Sequence, residues 1–265
     1  MSTALFRYPL VHIPGAGAIA PCTHDEIRSF DYFGAYHAGP APGGAFFEFI
    51  PAGCGSLAVA TGDVSGAGAP AGVIRSGARA ALRHMAARHA GNVAAAVQEL
   101  NKMLYWISPD DYYTSLFYAH LDPARRLLRY VNAAHEPALL IRAEGGTERL
   151  DSSGGVLGLS HRTRFQGQGL PVGPGDALVT ASGASSGICD PAQWRLWESA
   201  AAETIRRNPR AAARELLYAI VEAFLRGGAV ARPIGEWALA LVRVRGSEAA
   251  GPVESLETAV LASAA

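Results

Sequence analysis

Hydrophobic positions along the first half of the chain change period from two to helical and back again. The segments DYFGAYHA (31–38), AFFEFI (45–50) and SLAVATGDVSG (56–66) carry alternating or continuous apolar and aromatic residues. The turns GPAPGG and PAGCG separate them, which predicts three strands. From Ala69 to Ala90 small and apolar residues recur at helical spacing, with Arg75, Arg79 and Arg83 four apart along one side. That row reads as a solvated helix face. A second helix is predicted over VAAAVQELNKMLYWI (93–107), with Asn92 placed to cap it and Ser108-Pro109 to stop it. Period two then returns in TSLFYAHLD, RLLRYVNAA and ALLIRAE. With turn chemistry at Asp122-Pro123 and Glu144-Gly145-Gly146, these read as an antiparallel meander. The strand DALVTAS, two helices over 191–207 and 210–227, and a last strand, EWALALVRVR, complete the pattern.

This order predicts an α+β fold, a four-layer α-β-β-α sandwich of two antiparallel sheets with a helix pair on each outer face. Residues 31–245 read as one domain. Residues 1–30 form an irregular N-terminal extension and 246–265 an Ala-, Ser- and Glu-rich tail.

Composition narrows the function classes. The 23 basic and 23 acidic side chains cancel, so no electrostatic footprint for nucleic acid or an anionic membrane is present. No apolar run approaches the length of a membrane span, and the first residues make a poor signal peptide. Cys22, Cys54 and Cys189 are odd in number and far apart, which suggests neither a zinc site nor a disulfide framework. Three reduced thiols in a cytoplasmic protein is the plain reading, with Cys54 exposed in its Gly-Cys-Gly turn. No motif sets an oligomeric state. The loop GDVSGAGAP lacks the Lys-Ser/Thr of a phosphate-binding loop.

Several blocks in order resemble the SpoIIE/RsbU-like branch of the metal-dependent, type 2C-like serine/threonine phosphatases. They are Gly43-Gly44-Ala45-Phe46-Phe47-Glu48, Gly62-Asp63-Val64-Ser65-Gly66-Ala67-Gly68, Tyr130 to Pro137, Gly154 to Leu159, and Pro174-Gly175-Asp176. The resemblance implies a pair of Mg²⁺ or Mn²⁺ ions held by aspartates at strand ends, activating a water against a phosphoserine or phosphothreonine. Carried over residue by residue, the four metal-binding positions fall on Ala45, Asp63, Ser182 and Gly235, and only Asp63 is acidic. The Val64 carbonyl is the family's backbone ligand, Glu48 and Glu236 are substitutes at neighbouring positions, and Asp176 is a further carboxylate for a single-metal site. Glu236, one step along a strand from the vacated place, would face the opposite side.

Two divalent ions bring about four positive charges against the one that Asp63 offsets. The expectation is therefore a degenerate, catalytically inactive phosphatase-like domain acting as a regulatory binding module. No cofactor is expected, with Mg²⁺ or Mn²⁺ implied by the resemblance if any metal binds. By the same resemblance the partner is a phosphorylated STAS-type anti-anti-sigma protein or related regulator in partner-switching signalling. The alternative is a weak or atypical metal-dependent phosphatase. Asp63 also reads as an Asx-turn residue bonding the amides of Val64 to Gly66, and His135 as a structural histidine in the turn between two strands.

Overall fold

The computed structural model describes residues 27–37, 43–89, 91–183, 191–227 and 236–246. Cys22, Cys189, Gly235, the tail beyond Gly246 and all but the last residues of the N-terminal extension lie outside them. The chain order is β1 (Phe30–His37), β2 (Phe46–Pro51), β3 (Leu57–Val64), α1 (Ala69–His89), α2 (Val93–Ile107), β4 (Thr114–Asp122) and β5 (Leu127–Ala133). There follow β6 (Ala138–Ile141), β7 (Thr147–Leu150), β8 (Gln168–Pro171), β9 (Ala177–Ser182), α3 (Pro191–Arg207), α4 (Ala213–Arg226) and β10 (Trp237–Val244). Two five-stranded antiparallel sheets result, β1-β10-β9-β6-β7 and β2-β3-β4-β5-β8.

Strand alternation sorts the side chains into three packed layers. On β3, Leu57 and Val59 join Phe117, Ala119, Leu140, Ala240 and Val242 between the sheets. Ala58, Ala60 and Val64, on the other face, pack under Ile74, Leu82, Val97, Leu100 and Leu104 of α1 and α2. The second helix pair covers the other sheet with Trp197, Leu216, Leu217 and Ile220 against Leu139, Val179, Leu239 and Leu241. Each such large side chain, fully withdrawn from water, contributes about 1.5–3 kcal/mol. Asn92 caps α2, its side-chain oxygen accepting from the Ala95 amide at 3.1 Å.

The meander expected of β4, β5 and β6 stops after two strands. β4 and β5 pair, but β6 lies in the other sheet between β9 and β7. The turn at Ala134–Pro137 explains the crossing. Ala134 takes a positive φ of 52°. Asn132 closes the turn, its Oδ1 accepting from the His135 amide at 2.9 Å, and joins it to β7, its Nδ2 donating to the Leu150 carbonyl at 3.0 Å. β7 and β8 have no counterpart in the hydrophobic pattern. Each is four residues long, mostly open to solvent, and sits at a sheet edge.

Candidate functional site

One end of the sandwich collects the last residues of β1, β3, β5 and β9 and the first of β2, β4 and β10. Register fixes who meets whom there: Asp63 is opposite Ser115, Ser182 opposite Ala238, and Tyr36 opposite Ala238. By the β3 alternation Asp63 faces the space between the sheets. Just inside it, Thr61 Oγ1 and Thr180 Oγ1 bridge the sheets at 2.6 Å. Ser182 is buried, and its hydroxyl donates to the Gly62 carbonyl at 2.9 Å, a second inter-sheet bond.

Ala45 is buried against Tyr36 and Ala238. Its amide donates to Oε2 of Glu236 at 3.1 Å. Glu236 thus points into the site rather than away from it. The face-alternation argument fails because Glu236 precedes β10, which begins at Trp237, so the strand's pleat does not govern its side chain. Its carboxylate is 4% exposed and also takes a bond from Nη1 of Arg75 at 2.9 Å. Burial raises the Glu236 pKa, while the Ala45 and Gly43 amides pull it down.

The arginine row of α1 is not a solvated face. Arg75 reaches Glu236, and Arg79 and Arg83 converge on Glu48. Glu48 is 3% exposed on β2, on the strand face turned toward α1. Arg79 Nε donates to its Oε1, and Arg83 Nη2 donates to the same oxygen at 3.0 Å. The Arg79 side chain is 13% exposed and that of Arg83 44%. Burial pushes the Glu48 carboxyl up against the pull of Arg79 and Arg83, and pushes the Arg79 guanidinium down. Arg75 is lowered by burial and raised by the nearby Asp63 carboxylate. Sequence reading missed these arginines as site residues. The available signal was the lone acid in an apolar, aromatic strand, since a carboxylate withdrawn from water needs a cation.

Of the amides that Asp63 was expected to bond, those of Val64 and Ser65 donate to the carbonyls of Gly44 at 3.2 Å and Tyr113 at 2.8 Å. The Val64 carbonyl is pressed against Gly44. Asp176 lies at the opposite end. It precedes β9, whose other end carries Ser182, and six residues of strand put the two about 20 Å apart. There it accepts from the Ala143 and Gly173 amides at 2.9 and 3.0 Å and pairs with Arg142 at 2.8 Å, so it locks a turn. His135 is buried, with Nδ1 2.8 Å from Ser115 Oγ and 3.1 Å from Glu136. Burial lowers its pKa, against the pull of the Glu136 carboxylate and the Ala181 backbone. Among the described residues no group of three His, Cys, Asp or Glu side chains gathers as a metal cluster would.

Two antiparallel sheets between helix pairs, with strand ends converging in this way, define a type 2C-like phosphatase fold. The chain is similar to the RsbU and RsbW domains of a Mycobacterium tuberculosis protein, with a TM-score of 0.68 at 21% identity over 82% of this chain and 60% of that one. It is similar to the PP2C phosphatase domain and regulatory fragment of SpoIIE from Bacillus subtilis, at 0.66 and 16% over 82% of this chain and 63% of that one. Protein IcfG of Synechocystis is 32% identical over 78 residues, which make up 29% of this chain and 12% of IcfG. The chain therefore spans less than two thirds of each of these relatives. The family described as Stage II sporulation protein E (SpoIIE) matches residues 53–234. The chain belongs to that family. Among the described residues no helix is long and apolar enough to cross a membrane.

Proposed function

We propose that this SpoIIE-type domain is a non-hydrolytic member of its family that acts by binding a phosphorylated regulator in a partner-switching circuit. The observation that carries this reading is the use to which its buried carboxylates are put. Glu48 and Glu236, the acids that stand near the family's metal positions, are both neutralised by arginines of α1. Ala45 and Ser182 bring no charge, and Gly235 lies outside the described residues. Among the described residues, the carboxylates of Asp63, Glu48 and Glu236 stand with the guanidiniums of Arg75, Arg79 and Arg83. A divalent ion about 4 Å from the Arg75 guanidinium would meet a repulsion of about 8 kcal/mol at an effective dielectric of roughly 20. The residues present do not fit a pair of Mg²⁺ or Mn²⁺ ions.

The partner in this reading is a phosphorylated STAS-type anti-anti-sigma protein or a related regulator, by resemblance to the family. Calorimetry with phosphorylated and unphosphorylated forms of such a protein, run beside a phosphate-release assay in millimolar MnCl₂, tests both halves. Preferential binding of the phosphorylated form without phosphate release is expected. Manganese-dependent release that Asp63→Ala abolishes would sink the non-hydrolytic half and favour a weak phosphatase. Equal or absent binding of both forms would sink the partner half.

A further inference from the structure

Arg75 differs from the other arginines of the site in how it is held. All of its hydrogen bonds among the described residues run through one nitrogen, Nη1. Around that atom stand four oxygens and nothing else that bonds it: Glu236 Oε1 at 2.9 Å, the Gly43 carbonyl at 3.0 Å, the Tyr36 hydroxyl at 3.3 Å and the Ala45 carbonyl at 3.5 Å. A guanidinium ordinarily recognises a carboxylate as a planar fork, with two parallel bonds. Here one terminal nitrogen sits in a shell of oxygens from β1, from the lead into β2 and from the lead into β10. Carboxylate, carbonyl and hydroxyl oxygens are the donors a hard cation collects. A second anion, Asp63, acts on the same group through space.

We propose that Nη1 of Arg75 is a built-in cation filling an oxygen cage, and that this cage is a latent site for a small cation. The side chain ties α1 to both sheets at once, because Tyr36 lies on β1 and Glu236 leads into β10 of one sheet, while the Gly43–Ala45 segment leads into the other. Without it, the buried Glu236 carboxylate, the Gly43 and Ala45 carbonyls and the Tyr36 hydroxyl are left as a cluster of mutually repelling oxygens, and Asp63 loses a guanidinium that acts on it through space. A free cation entering the cage would relieve that repulsion. The inference rests on the charge arrangement used above, but its readout is stability rather than turnover, so either reading can fail without the other.

The test compares melting of the full chain and its Arg75→Ala variant in plain buffer, in millimolar MnCl₂, in methylguanidinium chloride, and in NaCl at matched ionic strength. Arg75→Ala is expected to melt roughly 10 °C lower, as removal of one partner of a buried ion pair does in a domain of this size. Manganese or methylguanidinium should restore several degrees beyond the NaCl control, and leave the parent unmoved. The double variant Arg75→Ala/Glu236→Gln should lose that response. If Arg75→Ala does not fold, Arg75→Lys decides. An ammonium is itself a point cation, so a filled cage predicts melting within a few degrees of the parent. A variant Arg75→Ala that melts like the parent, or answers to neither cation, overturns the proposal. An Arg75→Lys variant that melts far below the parent overturns it as well, because the guanidinium fork would then be what matters.

Discussion

Replacing Glu48 with alanine is expected to lower the stability of the domain by about 3 kcal/mol, the low end of what breaking a buried ion pair costs. Glu48 is almost wholly enclosed between β2 and α1, and Arg79 beside it has little more access to water. Without the carboxylate the Arg79 guanidinium keeps its desolvation penalty and loses its counter-charge. Arg83 suffers less, because nearly half of its side chain is exposed and can turn to solvent. In urea the midpoint should fall without a change in slope, as a loss of stability without altered compactness requires. Arg79→Ala should cost less than Glu48→Ala, since Arg83 still answers the carboxylate. Glu48→Leu with Arg79→Met should recover much of the loss, because an apolar pair of similar volume removes both desolvation penalties. Equal stability of Glu48→Ala and the parent would mean that the carboxylate does not balance those guanidiniums.

Gly44→Ala is expected to be the most damaging of the glycine substitutions at the site. A Cβ there would lie 2.0 Å from the Val64 carbonyl oxygen and 2.5 Å from the Val64 nitrogen. Those are backbone atoms at the end of β3, one of them donating to the Gly44 carbonyl at 3.2 Å. They can yield only if the lead into β2 separates from β3, disturbing Ala45 and the Asp63 turn together. Overpacking of this kind costs about 1–3 kcal/mol, and the upper end applies where backbone must move. At Gly43 a Cβ would meet Glu236 Oε2 at 2.1 Å, the end of a side chain that can swing away at the expense of its bond to Ala45. Gly72 meets nothing within 4 Å. At this half-buried position in the first turn of α1, Gly72→Ala should gain about 0.5–1 kcal/mol. Denaturant midpoints of the three variants check the order, and an unaffected Gly44→Ala would contradict the close approach of the two strands.

Much of the layer plan was legible because the apolar period matched the element wherever packing has two sides. The β3 residues alternate between two cores, and α2 begins and ends where its cap and its proline say. β7 and β8 were not legible because edge strands need little apolar surface. The crossing of β6 to the other sheet depended on a left-handed residue at Ala134, and alanine gives no warning of one. At the site, the spacing of Arg75, Arg79 and Arg83 placed them on one side of α1 but did not say which side was enclosed. The apolar positions Ile74, Ala78 and Leu82 are buried as their period predicts, and each arginine stands one residue further along, at the margin of that stripe, where the apolar pattern does not decide enclosure. Glu236 escaped the strand rule by standing one residue before the strand. Asp176 resembled a ligand in composition but sits at the wrong end of β9.

In the function proposed above, arginines rather than divalent ions balance the acids at this end of the sandwich. Manganese titration of the unmodified chain, followed by the loss of the free-ion signal in electron paramagnetic resonance, measures that directly. No tightly bound manganese is expected, with any weak uptake unchanged in Asp63→Ala. Two ions held per chain at micromolar affinity, and released by Asp63→Ala, would contradict it.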